Sequence, residues 1–397
     1  MMPLISSSVC EGGFSSERKD FEALAGLVEA PAMEEATGFD SSEDLKAIYF
    51  EGLDYKGKPT KVFAWLGMPE VKAGKAGKIP AKVPAMVLVH GGGGTAFKDW
   101  VQRWNKRGYA AISIAVEGQT DKRSEDGESW RKHEWAGPSR VGIYGDAKEE
   151  FKDQWMYHAA ADTILAHSLI RSLPRVDADK VGLMGISWGG VITSTVIGLD
   201  DRFAFAIPTY GCGDLSEAQN QYGKSLANNS TYKEVYDPLL RFDKVKMPTL
   251  WFSWPEDKHF PMDKFANSYK AVSGSYAVSL IPKMGHGHGP PWGKPDSYAF
   301  AESITEHGKP WCRQESLERE GNKVVVIFES SEPLREPVLV YSTNEGITGQ
   351  RKWLEVIAMG TKKGNAYTVQ ANLPEGVTGW FVNVKCGELT MSSDYQQ

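Results

Sequence analysis

Six short apolar runs constrain this chain most: "AMVLVH", "AAISIAV", "KVGLMGI", "FAFAIPTY", "PTLWFSW" and "YAVSLIP". Each is too short and too uniformly apolar for an amphipathic surface strand, and helical segments separate them. Continuous apolar strands alternating with helices predict a mostly parallel sheet covered on both faces, an α/β class fold. The clearest helix, "DQWMYHAAADTILAHSLIRSLPRV", leads directly into "VGLMGI", and another begins at "GGVITSTVIGL".

The third run ends in "GISWGG", residues 185–190, where a serine stands between glycines. A serine hydroxyl is a weak nucleophile and must be both exposed and deprotonated by a neighbouring base. A sharp strand-to-helix turn exposes it, and side chains two residues before or after would strike adjacent chain, so glycine is required there. Gly185-Ile186-Ser187-Trp188-Gly189 fits this G-x-S-x-G pattern, and the following helix directs its positive end at an oxyanion forming near Ser187.

Three further segments agree with a nucleophilic serine. "MVLVHGGGG" ends an earlier strand, and backbone amides of Gly92 and Gly93 together with that of Trp188 would build an oxyanion hole. His90 reads as a side chain that fixes this loop. "PTLWFSWPEDKHFP" places carboxylates just past a strand end, with Asp257 preferred to Glu256 as the partner of an imidazole. "SLIPKMGHGHGPPWG" supplies His286, directly after Gly285, as the base, with His288 on the pocket rim. Two histidines at i, i+2 can ligate zinc, but no third ligand at suitable spacing accompanies them. No metal or cofactor is expected. His133, His158, His167, His259 and His307 read as ordinary helix or surface histidines, His133 having some claim to face substrate.

In order, "HGGGG", "GISWGG", "PEDKHFP" and "MGHGHG" carry a resemblance to the α/β-hydrolase superfamily over about Ala47–Gly308. The similar branch contains dienelactone-hydrolase-like, acetyl-xylan-esterase-like and prolyl-oligopeptidase-like domains. The resemblance implies Ser187, Asp257 and His286 as a catalytic triad. Dienelactone hydrolases carry cysteine at the elbow and prolyl oligopeptidases add a propeller, so the acetyl-esterase-like proteins are the nearest match. The expected reaction is hydrolysis of a carboxylic ester through an acyl-enzyme, on a small-molecule or carbohydrate ester. A peptidase would use the same three residues but needs a polar grip on a peptide terminus. A non-catalytic glycan- or partner-binding protein is the third reading.

Residues 1–45 read as an N-terminal extension, 46–312 as the hydrolase domain, and 313–397 as a small antiparallel β-sandwich-like domain of alternating strands. The polar stretch 118–153 is too long for a plain connection and is expected to form a pocket wall or lid. Trp130, Trp135 and Trp155 cluster in or beside it, while Trp188, Trp254 and Trp292 flank the reactive segments. Trp135, Trp155, Trp254, His288 and Trp292 are the substrate-binding candidates, since flat aromatic faces suit sugar rings.

A formal net charge of -6 removes the basic face that nucleic acid or an anionic membrane would need. No apolar stretch approaches the roughly 20 residues of a membrane span. Residues 1–13 lack the basic and apolar regions of a secretory signal, so the sequence as written reads as soluble and cytoplasmic, or periplasmic or secreted if a signal was removed. The four cysteines, Cys10, Cys212, Cys312 and Cys386, are too unevenly spaced for a disulfide scaffold and read as structural thiols. The lysine-rich stretch at 72–84 reads as a solvated loop.

Overall fold

The computed structural model describes residues 13–70, 82–310 and 312–397. Cys10, the start of the chain and most of the lysine-rich stretch lie outside these residues.

Helix α1 (Ser15–Glu22) and strand β1 (Met33–Glu35) precede an antiparallel pair, β2 (Leu45–Glu51) and β3 (Lys61–Gly67). Lys56 and Gly57, both at positive φ, form the turn between them, as the right-handed twist of a hairpin demands. The alternating unit follows: β4 (Val83–Val89), α2 (Lys98–Asn105) and β5 (Ala110–Ile114), then the hairpin β6 (Gln119–Arg123) and β7 (Trp130–Lys132) within the polar stretch. After it come α3 (Trp155–Ser172), β8 (Val176–Ile186), α4 (Trp188–Val196), β9 (Phe205–Thr209), α5 (Gln221–Leu226) and β10 (Thr249–Ser253). Helix α6 (Met262–Ala271), β11 (Tyr276–Leu280) and α7 (Asp296–His307) complete this part.

Strands β5, β4, β8, β9, β10 and β11 run parallel and in that spatial order, with every residue of β5, β9 and β10 buried. Their uniformly apolar composition follows from cover on both sides. On one side α3 and α4 pack together; on the other, α2 meets α7 through Trp104 and Tyr298, whose rings lie 4.8 Å apart. Helix α3 is buried from Trp155 to Ile170 because the N-terminal segment lies over it. Phe21 packs against Tyr157, and Ser168 Oγ donates to the carbonyl of Leu27. That cover explains why α3 is apolar on nearly all faces.

Residues 312–392 supply β12 (Cys312–Glu320), β13 (Lys323–Ser330), β14 (Leu334–Ser342), β15 (Leu354–Ile357), β16 (Met359–Lys363), β17 (Ala366–Asn372), β18 (Gly379–Cys386) and β19 (Leu389–Ser392). Strands β12, β13, β17 and β16 make an antiparallel sheet of their own. The others do not: β19 pairs antiparallel with β11, and β18, β14 and β15 continue outward from it. The central sheet therefore runs from β1 to β15 through 13 strands among the described residues. Cys212, Cys312 and Cys386 are all buried thiols.

Candidate active site

At the end of β8 the chain reverses into α4 through Ser187, held at φ 61° and ψ -116°. This left-handed geometry is costly for a residue with a side chain and persists only where the surroundings enforce it. The glycines show the enforcement. A Cβ on Gly185 would lie 2.0 Å from the Gly189 carbonyl oxygen, and one on Gly189 would lie 2.1 Å from that of Val89. Neither space admits a methyl group, so the turn is possible only with glycine at both positions.

Ser187, part-exposed at this turn, meets two side chains from distant loops. His286 Nε2 lies 2.9 Å from Ser187 Oγ, and its Nδ1 lies 2.8 Å from Asp257 Oδ2. An imidazole facing a carboxylate on Nδ1 carries its proton there, leaving Nε2 to accept from the serine hydroxyl. Asp257 is 1% exposed and fully partnered: Oδ1 accepts from the amides of His259 and Phe260, and Oδ2 also accepts from Trp254 Nε1. Glu256 instead accepts from the Lys283 amide, away from the imidazole.

The His286 ring is fixed from several directions. Tyr210 lies 4.5 Å from it and donates its hydroxyl to the Gly285 carbonyl, while Phe260 stacks at 5.9 Å. His259 also flanks it, at 4.7 Å, so this histidine belongs to the site's surroundings rather than to an ordinary surface.

The glycine loop after β4 is held by side chains at almost every peptide. His90 faces the Gly91 carbonyl through Nδ1, and its Nε2 accepts from the Val116 amide and meets the Gln119 amide group. Burial pushes the His90 pKa down to about 3, so it is a neutral strut. Gln119 binds the Gly94 carbonyl, Trp130 Nε1 binds that of Gly93, and the Gly91 amide donates to His288 Nε2. Gly92 lies against the nucleophile's neighbour: a Cβ there would stand 3.1 Å from Trp188 Cδ1. Gly93, at φ +72°, turns the loop, with open space where its Cβ would be. The Trp188 amide, first in α4, has no carbonyl a turn behind it and is available to an anion.

The substrate-binding candidates need correction. Trp155 is 1% exposed, donates Nε1 to the Val116 carbonyl, and packs edge-on behind Trp188, so no substrate reaches it. Trp135 packs against Tyr49 under the ammonium of Lys61, at the β2–β3 part of the sheet. Its neighbour His133 packs on Tyr49 as well. Trp292 is buried against Trp100 and Tyr298. Trp254 and His288 are near the site but brace it, one through Asp257 and the other through Gly91.

Sequence reasoning missed Arg140. Its guanidinium lies 5.0 Å from the centre of the Trp188 ring, paired with Glu117 at 3.4 Å. One arginine of three in a polar stretch looks like solvated surface; the signal was the unusual length of that stretch. Among the described residues no group of three or more His, Cys, Asp or Glu could hold a metal ion, and no helix is long and apolar enough to cross a membrane.

Comparison with known proteins adds independent information. The chain superposes on acetyl xylan esterase from Paenibacillus sp. R4 with a TM-score of 0.54 and 20% identity, covering 72% of this chain and 92% of that one. For acetyl xylan esterase 1 from Thermoanaerobacterium sp. JW/SL YS485 the TM-score is 0.53 and the identity 19%, covering 70% and 90%. These likenesses show the α/β-hydrolase fold. Dipeptidyl aminopeptidase BIII from Pseudoxanthomonas mexicana is 25% identical over 271 residues, which are 61% of this chain but span only 35% of that protein's length. The family model described as acetyl xylan esterase (AXE1) matches residues 22–247, a stretch that takes in the glycine loop and the elbow and stops before Asp257 and His286. That match covers more than half of the chain, and the protein belongs to the acetyl xylan esterase (AXE1) family.

Proposed function

We propose that this protein is a serine ester hydrolase that removes small acyl groups, acetyl above all, from a carbohydrate or similar small ester. The observation that carries the reading is the unbroken hydrogen-bonded chain from Ser187 Oγ through His286 to Asp257. In the reaction His286 Nε2 takes the hydroxyl proton as Ser187 Oγ attacks the ester carbonyl. The amides of Trp188 and Gly92 hold the oxyanion, aided by the positive end of α4. His286 then protonates the departing alcohol, and water admitted to the same base hydrolyses the acyl-serine. Asp257 keeps the imidazole in the working tautomer and stabilises the imidazolium. Residues 118–153 form the wall of the pocket beside the oxyanion hole, through Trp130 and Arg140.

A peptidase reading is favoured by the similarity to dipeptidyl aminopeptidase BIII. Against it, Glu117, the carboxylate beside Arg140, already has Oε1 turned to that guanidinium, so an amino terminus would have to share it with a resident cation. The experiment is labelling with a fluorophosphonate, combined with rates on p-nitrophenyl acetate, butyrate and octanoate, an aminoacyl p-nitroanilide, and acetate release from acetylated xylan. Labelling lost in Ser187→Ala, with acetate ester turned over fastest, is expected. An unlabelled native protein would overturn the hydrolase assignment, and anilide turnover above ester turnover would favour the peptidase.

A further inference from the structure

Arg140 stands between the glycine loop and the first residue of α4. Its Nη2 lies 2.8 Å from the point a Gly92 Cβ would occupy, on the same flank as Trp188 Cδ1. The rest of the guanidinium is tied down: Nε faces Glu117, and Nη1 donates to the Gly142 carbonyl at 2.5 Å. Nη2 has no hydrogen-bond partner among the described residues, so the anchored part fixes the plane and the unanchored part stands beside Gly92 of the glycine loop. A guanidinium held this way has lost little freedom still to be surrendered on binding, which suits it to planar oxyanions.

Glu117 is mostly buried and faces two cations, Arg140 and Lys132, and Lys132 Nζ is itself anchored on Ser139 Oγ. Glu117 thus stands between two cations, of which Arg140 is the one beside the glycine loop. Farther along the glycine loop, the Arg123 guanidinium stacks 3.7 Å from the Trp130 ring whose Nε1 binds Gly93. In a chain of net charge -6, cations gathered beside the proposed oxyanion hole make a local field that favours an anionic ligand.

We propose that Arg140 determines specificity by pairing with a carboxylate on the alcohol part of the ester, so that the preferred substrates are acetyl esters of acidic saccharides or similar acidic alcohols. This deepens the esterase reading and rests on it. The carboxylate forms charge-assisted hydrogen bonds with Nη2 while the acetyl carbonyl sits over Ser187. Glu117 orients the guanidinium and is a positioning residue.

The test compares 4-acetoxybenzoate with its neutral methyl ester, taking the ratio of their kcat/KM values within each variant so that losses of folded enzyme cancel. Arg140→Gln is expected to lower the acid-to-neutral ratio about tenfold or more, and Arg140→Lys to lower it less. Raising ionic strength from 0.05 to 0.5 M is expected to lower the ratio in the unmutated enzyme. A ratio unchanged in Arg140→Gln, with both rates falling together, would overturn the proposal and leave Arg140 a structural residue. If the unmutated enzyme cleaved neither ester and took no fluorophosphonate, the esterase reading itself would fall, a result distinct from an unchanged ratio.

Discussion

The amide of Gly91 donates to Nε2 of His288 at 2.9 Å, which removes that amide from the set that could meet an oxyanion and is consistent with the role proposed for its neighbour Gly92. The bond also requires His288 Nε2 to be unprotonated, and burial against Phe97 and Trp100, which lowers its pKa, keeps it so. His288→Ala should therefore let the glycine loop relax. We expect kcat on p-nitrophenyl acetate to fall about ten- to a hundredfold with a smaller change in KM, and His288→Gln, which can still accept, to recover part of it. Steady-state kinetics of both variants checks this; an unchanged kcat in the alanine variant would mean the loop holds itself.

Asp257→Asn keeps an oxygen for the His259 and Phe260 amides but presents an amide group to the imidazole, forcing the wrong tautomer. A loss in kcat on the order of 1000- to 10,000-fold is expected, with a melting temperature within a few degrees of the parent. Kinetics and thermal denaturation together distinguish this from unfolding.

Gly349 lies in the C-terminal region, yet a Cβ on it would stand 2.0 Å from the Asp257 carbonyl oxygen. Thr348 Oγ1 likewise accepts the amide of Met262, at the start of α6. Gly349→Ala must push the loop bearing the acid, and we expect kcat/KM to fall at least about tenfold together with a lower melting temperature. Full activity in this variant would show that the β strands beyond Cys312 are indifferent to the chemistry.

Asp162, inside α3, is buried, its Oδ1 has no hydrogen-bond partner among the described residues, and desolvation raises its pKa to about 8. The sign follows: a carboxyl raised in the folded state contributes fully only below its unfolded value near 3.8, and its contribution is lost as pH rises toward 8. Asp162→Asn removes the titration. The variant should gain several degrees in melting temperature over the parent at pH 8 and much less at pH 5, by scanning calorimetry.

Much of this arrangement can be read from the chain alone, for reasons that differ by element. The parallel strands announce themselves because cover on both faces demands unbroken apolar runs. Ser187, Asp257 and His286 stand out because each follows a strand in a segment whose glycines or carboxylates make little sense in a plain turn. Trp155 misleads because a tryptophan in a core and one in a pocket have the same letters, although the helix around it is apolar on nearly all faces and so betrays burial. The joining of β19 to β11 has no local signature: an antiparallel pairing between residues 278 and 392 reads the same as one inside a separate sandwich. Arg140 escapes notice since its importance comes from Gly92 and Trp188, which are distant in sequence.

That late-arriving pairing also bears on biogenesis. Until Leu389–Ser392 has left the ribosome, β11 is a bare edge able to recruit a strand from another nascent chain, and the fully parallel half of the molecule waits unsealed. Loss of residues 389–392 would thus be felt first as insoluble material, well before any effect on turnover could be measured.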